Sequence, residues 1–288
     1  MRHSVVLATW TLLLASPARA DAFGEVQTPR TLGMGGANRA LGSSNDALLY
    51  SPGGMAMSKR YSIDGVYSYG GADHITQAQL SAVDSKTGPV AAGLAYTRIW
   101  GNPSGSNPSL TRIYGGTAFA LGSLGVGLTV QNVRGHFTDA GVVKEQSLWN
   151  GNVGLQLLLG ELLSVAAAYQ NVLKADDPRI MPPSLGIGAA VRTGAINVAG
   201  DWRFDMRDAG PRRSAWGLGG ELFLYDMFAV RGGLRRGPTD PAATGEDRTF
   251  ISGGLGALSA SGGLNVAAEK ALRGGQEWTL IGSMQFFM

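Results

Sequence analysis

From about residue 60 onward, apolar side chains alternate with small or polar ones at a period of two. Residues 124–131 set Leu124, Val126, Leu128 and Val130 against Gly125, Gly127, Thr129 and Gln131, and residues 163–170 and 185–192 repeat the pattern. Alternation of this kind describes a strand with one apolar face. Fourteen such segments follow one another, near residues 60–69, 74–83, 89–99, 110–120, 124–135, 145–158, 163–171, 184–192, 195–205, 214–224, 227–235, 247–257, 263–269 and 276–287. The connections sort by length. Those after even-numbered segments are short, as at 84–88, 121–123, 159–162, 193–194 and 225–226, whereas 100–109, 172–183, 206–213 and 236–246 are longer and rich in Pro, Gly and Asp. An even strand number, with short turns at one rim and longer loops at the other, predicts an all-β chain closed into one 14-stranded antiparallel transmembrane β-barrel.

The two registers differ in chemistry. One carries Leu, Val, Ile and aromatics, with Trp149, Tyr169, Trp202, Trp216, Phe228 and Trp278 near strand ends, and is expected to face lipid. The other carries Gly, Ala, Ser and polar groups. Its charges Asp201, Arg203, Glu221, Arg231, Arg235 and Glu269, with Asn197 and Asn265, are expected to line the lumen and pair across strands, since an Arg facing lipid at mid-depth costs about 2–4 kcal/mol. The last segment keeps one apolar register, Trp278, Leu280, Gly282, Met284, Phe286 and Met288, to the final residue.

Composition narrows the class. Of 288 residues 44 are Gly, only 16% are charged and Cys is absent, which excludes disulfide scaffolds, thiolate metal sites, thiol catalysis and a lipid-modified Cys anchor. A polar start with Arg2 and His3, an apolar run from Val5 to Ala15, and Ala18-Arg19-Ala20 predict a secretory signal peptide over residues 1–20. Beyond it no apolar run reaches the length of a transmembrane helix. A net charge of +3, scattered along the chain, gives no nucleic-acid signature.

Residues 21–58 do not alternate. They read as short helical turns joined by tight loops, with a capping-type Asn45 and a closing Pro52-Gly53, forming a plug segment ahead of a barrel over 59–288. Within the plug stand Gly33, Gly35, Gly36 and Ala37, then Asn45, Asp46 and Ala47, then Pro52, Gly54 and Met55. This series resembles the start of the FadL/PorV-like outer-membrane barrel superfamily, whose chains open with G-x-G-G-A, an acidic-small segment and N-P-A-G-[LM]. Here Ser51 replaces the Asn of that motif and Gly53 its Ala. The resemblance implies a fourteen-stranded barrel in a bacterial outer membrane with the N-terminal segment tucked inside. It also implies the apolar C-terminal strand that outer-membrane assembly machinery reads. Connections averaging about six residues look more like PorV/PorQ-type small members than FadL proper, which carries long capture loops.

Chemistry-bearing residues are few. His74 and His136 are the histidines left after processing, one opening a strand and one in an expected loop, and Asp176-Asp177 precedes Pro178 in a turn. None reaches the spacing of a catalytic or metal motif, so neither an enzyme nor a cofactor is expected. The resemblance implies instead a porin-like channel or carrier for small hydrophobic molecules. A PorV/PorQ-like scaffold for protein export or surface attachment is the first alternative, and a secreted soluble β-protein the second. In the channel reading Gly33, Gly35, Gly36, Gly53 and Gly54 supply pliable backbone for a gate, and Leu32, Met34, Leu48, Leu49 and Met55 either an apolar lining for the passage or packing that seals the pore.

Overall fold

The computed structural model describes residues 27–71, 74–101, 109–139, 142–173, 181–206, 214–238, 247–272 and 277–288; the expected signal peptide and Asp176-Asp177 lie outside them. Three short helical pieces come first: α1 (Pro29–Gly33), α2 (Ser44–Tyr50) and a 3₁₀ turn over Pro52–Met57. Fourteen strands follow: β1 (Tyr61–Gly70), β2 (Ile75–Asp84), β3 (Val90–Trp100), β4 (Ser109–Leu121), β5 (Leu124–Asp139), β6 (Val142–Leu159), β7 (Leu163–Gln170), β8 (Ser184–Arg192), β9 (Ile196–Asp205), β10 (Ser214–Leu224), β11 (Phe228–Pro238), β12 (Asp247–Ser259), β13 (Gly262–Ala271) and β14 (Trp278–Phe287).

Each strand pairs antiparallel with its sequence neighbours, and β1 pairs with β14 to close the barrel. Tyr61 and Met288 exchange both backbone hydrogen bonds at the seam, 3.2 and 3.0 Å. Closure removes the free edges that an open sheet would expose. Among the described residues no helix is long and apolar enough to cross a membrane.

The period-two reading places the two faces correctly. In β3 every second residue is buried, Ala91 through Ile99, while Val90, Leu94, Tyr96 and Trp100 are exposed. Trp202, Leu222, Val230 and Leu234 point outward, and Asp201, Glu221, Arg231 and Arg235 occupy the opposite register. Trp100, Trp149, Trp202, Trp216 and Trp278 all sit outward in the half of the barrel nearer the longer loops, whereas Phe119, Phe228 and Phe286 mark the turn end. The hairpin between β10 and β11 turns through Tyr225 (φ 54°) and Asp226 (φ 56°), the pair of left-handed residues a tight hairpin needs.

One expected loop is largely strand. Residues 136–139 and 142–144 are not a loop, because β5 and β6 continue pairing from His136↔Glu145 to Asp139↔Val142. That stretch has no Pro and contains Thr138, Val142 and Val143, which favour strand over loop. His136 therefore belongs to a strand, and this hairpin is the longest of the barrel. His74, expected to open a strand, precedes β2 in a left-handed conformation (φ 50°), where its Nδ1 lies 2.7 Å from the Tyr69 hydroxyl.

Candidate functional site

The barrel is closed across its middle by residues 27–58. Thr28 caps α1, its hydroxyl accepting from the Thr31 N–H at 3.4 Å, and Pro29 occupies the first turn where its missing N–H costs nothing. Gly35 (φ 61°) and Gly36 (φ 81°) then reverse the chain in the left-handed region. Asn45 does not cap α2. Ser43 holds that position without a side-chain bond, and the Asn45 amide donates instead to the Ser81 hydroxyl on the wall at 2.8 Å. A lumenal partner outcompeted the local cap.

On the β9–β13 side the plug is held by charge and hydrogen bonds. Glu221 accepts from Arg30 Nη2 and Nε (2.7 and 3.2 Å), from Arg231 Nε (2.6 Å) and from Asn197 (3.1 Å). Arg231 also donates to Asn265 at 2.9 Å. Asp201 accepts from the backbone N–H groups of Asn38 (3.3 Å) and Arg39 (2.9 Å), fixing the turn that follows Gly36. Ser252 accepts from the Gly35 N–H at 3.1 Å and donates to the Gly33 carbonyl at 3.3 Å. Outside that sector, on β6 and β7, Gln156 and Ser164 both donate to the Ala40 carbonyl, at 2.9 and 2.7 Å.

On the β2–β6 side the contact is mainly apolar, beside the bonds of Asn45 to Ser81 on β2 and of Gln156 on β6 to Ala40. Leu48, Leu49, Tyr50 and Met55 pack with Val83, Ala91, Ala95, Tyr114 and Ala118 in one buried cluster. Leu32 packs on Val66, Ala267 and Ile281, and Met34, Ala37 and Leu41 on the alanines Ala166, Ala190 and Ala199 of β7–β9. These residues seal the lumen rather than line an open passage.

Glycines on both partners permit this closeness. A Cβ on Gly219 would stand 2.2 Å from the Met34 carbonyl oxygen, and one on Gly217 2.2 Å from that of Gly35. Across the barrel a Cβ on Gly127 would meet the Pro52 carbonyl at 2.5 Å, and one on Gly53 the Gly125 carbonyl at 2.5 Å. Gly54 is hemmed by Gln156 and the Gly42 carbonyl. So Gly35, Gly53 and Gly54 all stand in close-packing contacts. Among the plug glycines only Gly36 has open space around its Cβ position.

The charges do not all pair as a ladder across neighbouring strands. Glu221 and Arg231 are direct partners. Arg235 reaches past β12 to make a bidentate pair with Glu269 (2.8 and 2.6 Å), its guanidinium over the Phe250 ring at 3.8 Å. Asp201 accepts from two plug backbone N–H groups and its carboxylate lies 3.9 Å from the plug's Arg39 Nε. Arg203 lines a small loop-side cavity of about 70 Å³ with Gly35, Gly36, Arg39 and Trp216. Asp46 accepts from the Asn38 amide at 3.0 Å within the plug. Pro52 wedges against the Gly127–Gly154 pair.

Below the plug, at the turn end, a polar cavity of about 1040 Å³ is bordered by Arg30, Asn45, Arg192, Glu221 and Gln285. Above it, at the loop end, the inward side chains Ile99, Leu110, Val133 and Leu148 form a buried apolar cluster with Met181, which comes from the β7–β8 connection. The wall serines Ser62, Ser81, Ser164 and Ser252 and the inward glycines belong to the register expected to face the lumen, but nothing in the sequence singled them out as contacts of the plug. Several of those glycines face each other across strands, as Gly219↔Gly233 and Gly127↔Gly154 do. Two glycines opposed in the lumenal register are the signal that would have found the seams. Among the described residues no group of three His, Asp or Glu side chains can hold a metal ion.

The fold is that of the FadL-type outer-membrane barrels. The chain is similar to the Ralstonia pickettii toluene transporter TbuX, with a TM-score of 0.70 and 13% identity over 91% of this chain and 98% of that one. It is similar to the CymD monoaromatic hydrocarbon channel, with a TM-score of 0.69 and 12% identity over 90% and 96%. A Pseudomonas aeruginosa FadL homologue gives 0.66 and 11% over 90% and 98%. No protein-family model and no curated protein matches the sequence.

Proposed function

We propose that this chain is a non-enzymatic channel of a bacterial outer membrane that passes small hydrophobic molecules, with the N-terminal segment as its shutter. The observation that carries the reading is that a noncovalently held piece of the chain's own N-terminus closes the lumen. A shutter of this kind opens by exchanging one set of weak contacts for another, with no wall strand broken. The apolar loop-end cluster offers a first contact for a hydrophobic molecule, and the fold is shared with proteins described as a toluene transporter and a monoaromatic hydrocarbon channel. The exterior of exposed Leu, Val and Trp argues against a secreted soluble protein. Membrane lipid and the outer-membrane assembly machinery are its partners in this reading.

A second reading, a PorV/PorQ-like scaffold for exported proteins, is favoured by the short connections, several only two or three residues long. Uptake of labelled toluene and fatty acid by cells with and without the gene, alongside recovery of co-purifying surface proteins, separates the two. Gene-dependent uptake supports the channel. Unchanged uptake with stable co-purification of an exported protein overturns it.

A further inference from the structure

Charge is sparse on the outside of the barrel, and one row of it is placed to hold a ligand. Arg98 on β3 and Arg134 on β5 both occupy the outward register and are exposed. Backbone pairing sets them in one row across the wall, Arg98 opposite Thr111, Thr111 opposite Arg134 and Arg134 opposite Ser147. Two strand spacings separate the bases, about 9–10 Å between Cα atoms. Only hydroxyls stand between and beside them. On the same face Trp100 lies two residues nearer the loops on β3, and Trp149 lies two residues deeper than Ser147 on β6. A base between outward tryptophans of the loop-end girdle sits at the headgroups of the extracellular leaflet, where it costs far less than at mid-depth.

Arg134 is also built into the wall. Asn132 shares the outward register, between Ile113 and Trp149 in its row, yet is only 2% exposed. Its Oδ1 accepts from Arg134 Nε at 2.9 Å, and its Nδ2 donates to the Ser147 hydroxyl and the Leu148 carbonyl at 3.1 and 3.2 Å. A buried amide thus ties the guanidinium down by one nitrogen and leaves the two terminal nitrogens, an edge that meets a phosphate bidentately. Arg236, outward on β11 at the same end of the barrel, has Asp247 at 4.0 Å. Among the described residues no carboxylate stands that close to Arg98 or Arg134. Glu145, exposed two residues beyond Ser147 toward the loops, bounds the basic row there.

We propose that the row from Arg98 to Ser147 binds the phosphorylated headgroup of a glycolipid of the outer leaflet. Each guanidinium takes one phosphate, and Thr111 and Ser147 offer hydroxyls to the sugar that carries them. Tyr96 and Trp149, exposed one row deeper, lie against the first carbons of the acyl chains. Charge complementarity selects the anion, and two bases at this spacing favour a headgroup with two phosphates over one. The proposal rests on the chain's place in an outer membrane and not on what passes its lumen.

The test is a titration of the full-length protein in detergent micelles with lipid A carrying two phosphates, read by native mass spectrometry. Saturable binding is expected. Arg98→Gln and Arg134→Gln should each weaken it about tenfold, the loss of one charge-assisted bond, and the double variant should lose it. Asn132→Leu should weaken binding in the unmodified protein but add nothing to Arg134→Gln; an equal loss in both backgrounds overturns its positioning role. Heat-modifiable gel mobility verifies that each variant is a folded barrel. Arg236→Gln, on the opposite wall, is the control and should bind as the unmodified protein does. Undiminished binding by the folded double variant overturns the site, as does equal affinity for lipid A stripped of its phosphates. Phosphatidylglycerol bound as tightly as lipid A overturns the glycolipid assignment.

Discussion

The two sides of the barrel hold one plug by different physics. Facing β2–β6, Leu48, Tyr50 and Met55 are buried against Val83, Tyr114 and wall alanines, a contact that responds little to salt and tolerates loss of single atoms gradually. Facing β9–β13, Arg30 and the turn after Gly36 are held by Glu221, Asp201 and Ser252 through directed bonds. These fail abruptly when one partner is lost, since a buried charge without its partner is costly. The apolar side is suited to be the fixed edge of the shutter and the polar side its releasable edge.

Glu221→Ala is the most disruptive test of that contrast. It leaves Arg30 and Arg231 facing each other without the carboxylate that joins them, a loss of about 3–5 kcal/mol for a buried pair. The folded band in heat-modifiable gel mobility should convert at a clearly lower temperature, and planar-bilayer conductance should rise as the plug releases. Heat resistance and conductance equal to those of the unmodified protein would refute the releasable edge.

Leu48→Ala comes next. Leu48 is fully buried, so truncation costs about 3 kcal/mol, but the plug should stay seated. Expected is a lower conversion temperature with conductance near that of the unmodified protein; a conductance as high as in Glu221→Ala would erase the difference between the two sides.

Gly219→Val asks whether close approach matters as such. Its side chain would collide with the Met34 carbonyl, and overpacking costs about 1–3 kcal/mol. Because the strain falls on the plug, conductance should rise more than heat resistance falls. Gly232→Val, on an outward site with open space around its Cβ position, is the matched control and should change neither.

Arg235→Gln should have the smallest effect. It removes the bidentate pair with Glu269 on β13, a contact between two wall residues, so the seating of the plug should change little. Any large gain in conductance from this change would place the releasable edge elsewhere on the wall.

Much of this architecture is written in local pattern. Alternation in residues 124–131 or 185–192 is visible because a strand's side-chain period is two and a barrel makes its faces chemically opposite. Strand number, the inward register of Asp201 and Glu221 and the sorting of loop lengths all follow from spacing along the chain. The β5–β6 hairpin escaped because His136 and Asp139 look like loop residues, and only pairing with residues 142–145 keeps them in a strand.

What the plug touches was decided by tertiary structure alone. Arg30 and Glu221 are 191 residues apart, and Gly35 and Ser252 are 217 apart; no spacing rule joins such partners. Gly35 and Gly53 read as flexible in sequence because glycine is permissive, yet in the folded chain that same lack of a side chain lets backbone lie against backbone. Met181 likewise lies in a proline-rich connection whose sequence gives no hint of burial. It becomes lumenal only because the mouth it falls into is lined by Ile99, Leu110, Val133 and Leu148. Period and composition determined the wall, whereas its contents were determined by which small and charged groups closure brought face to face.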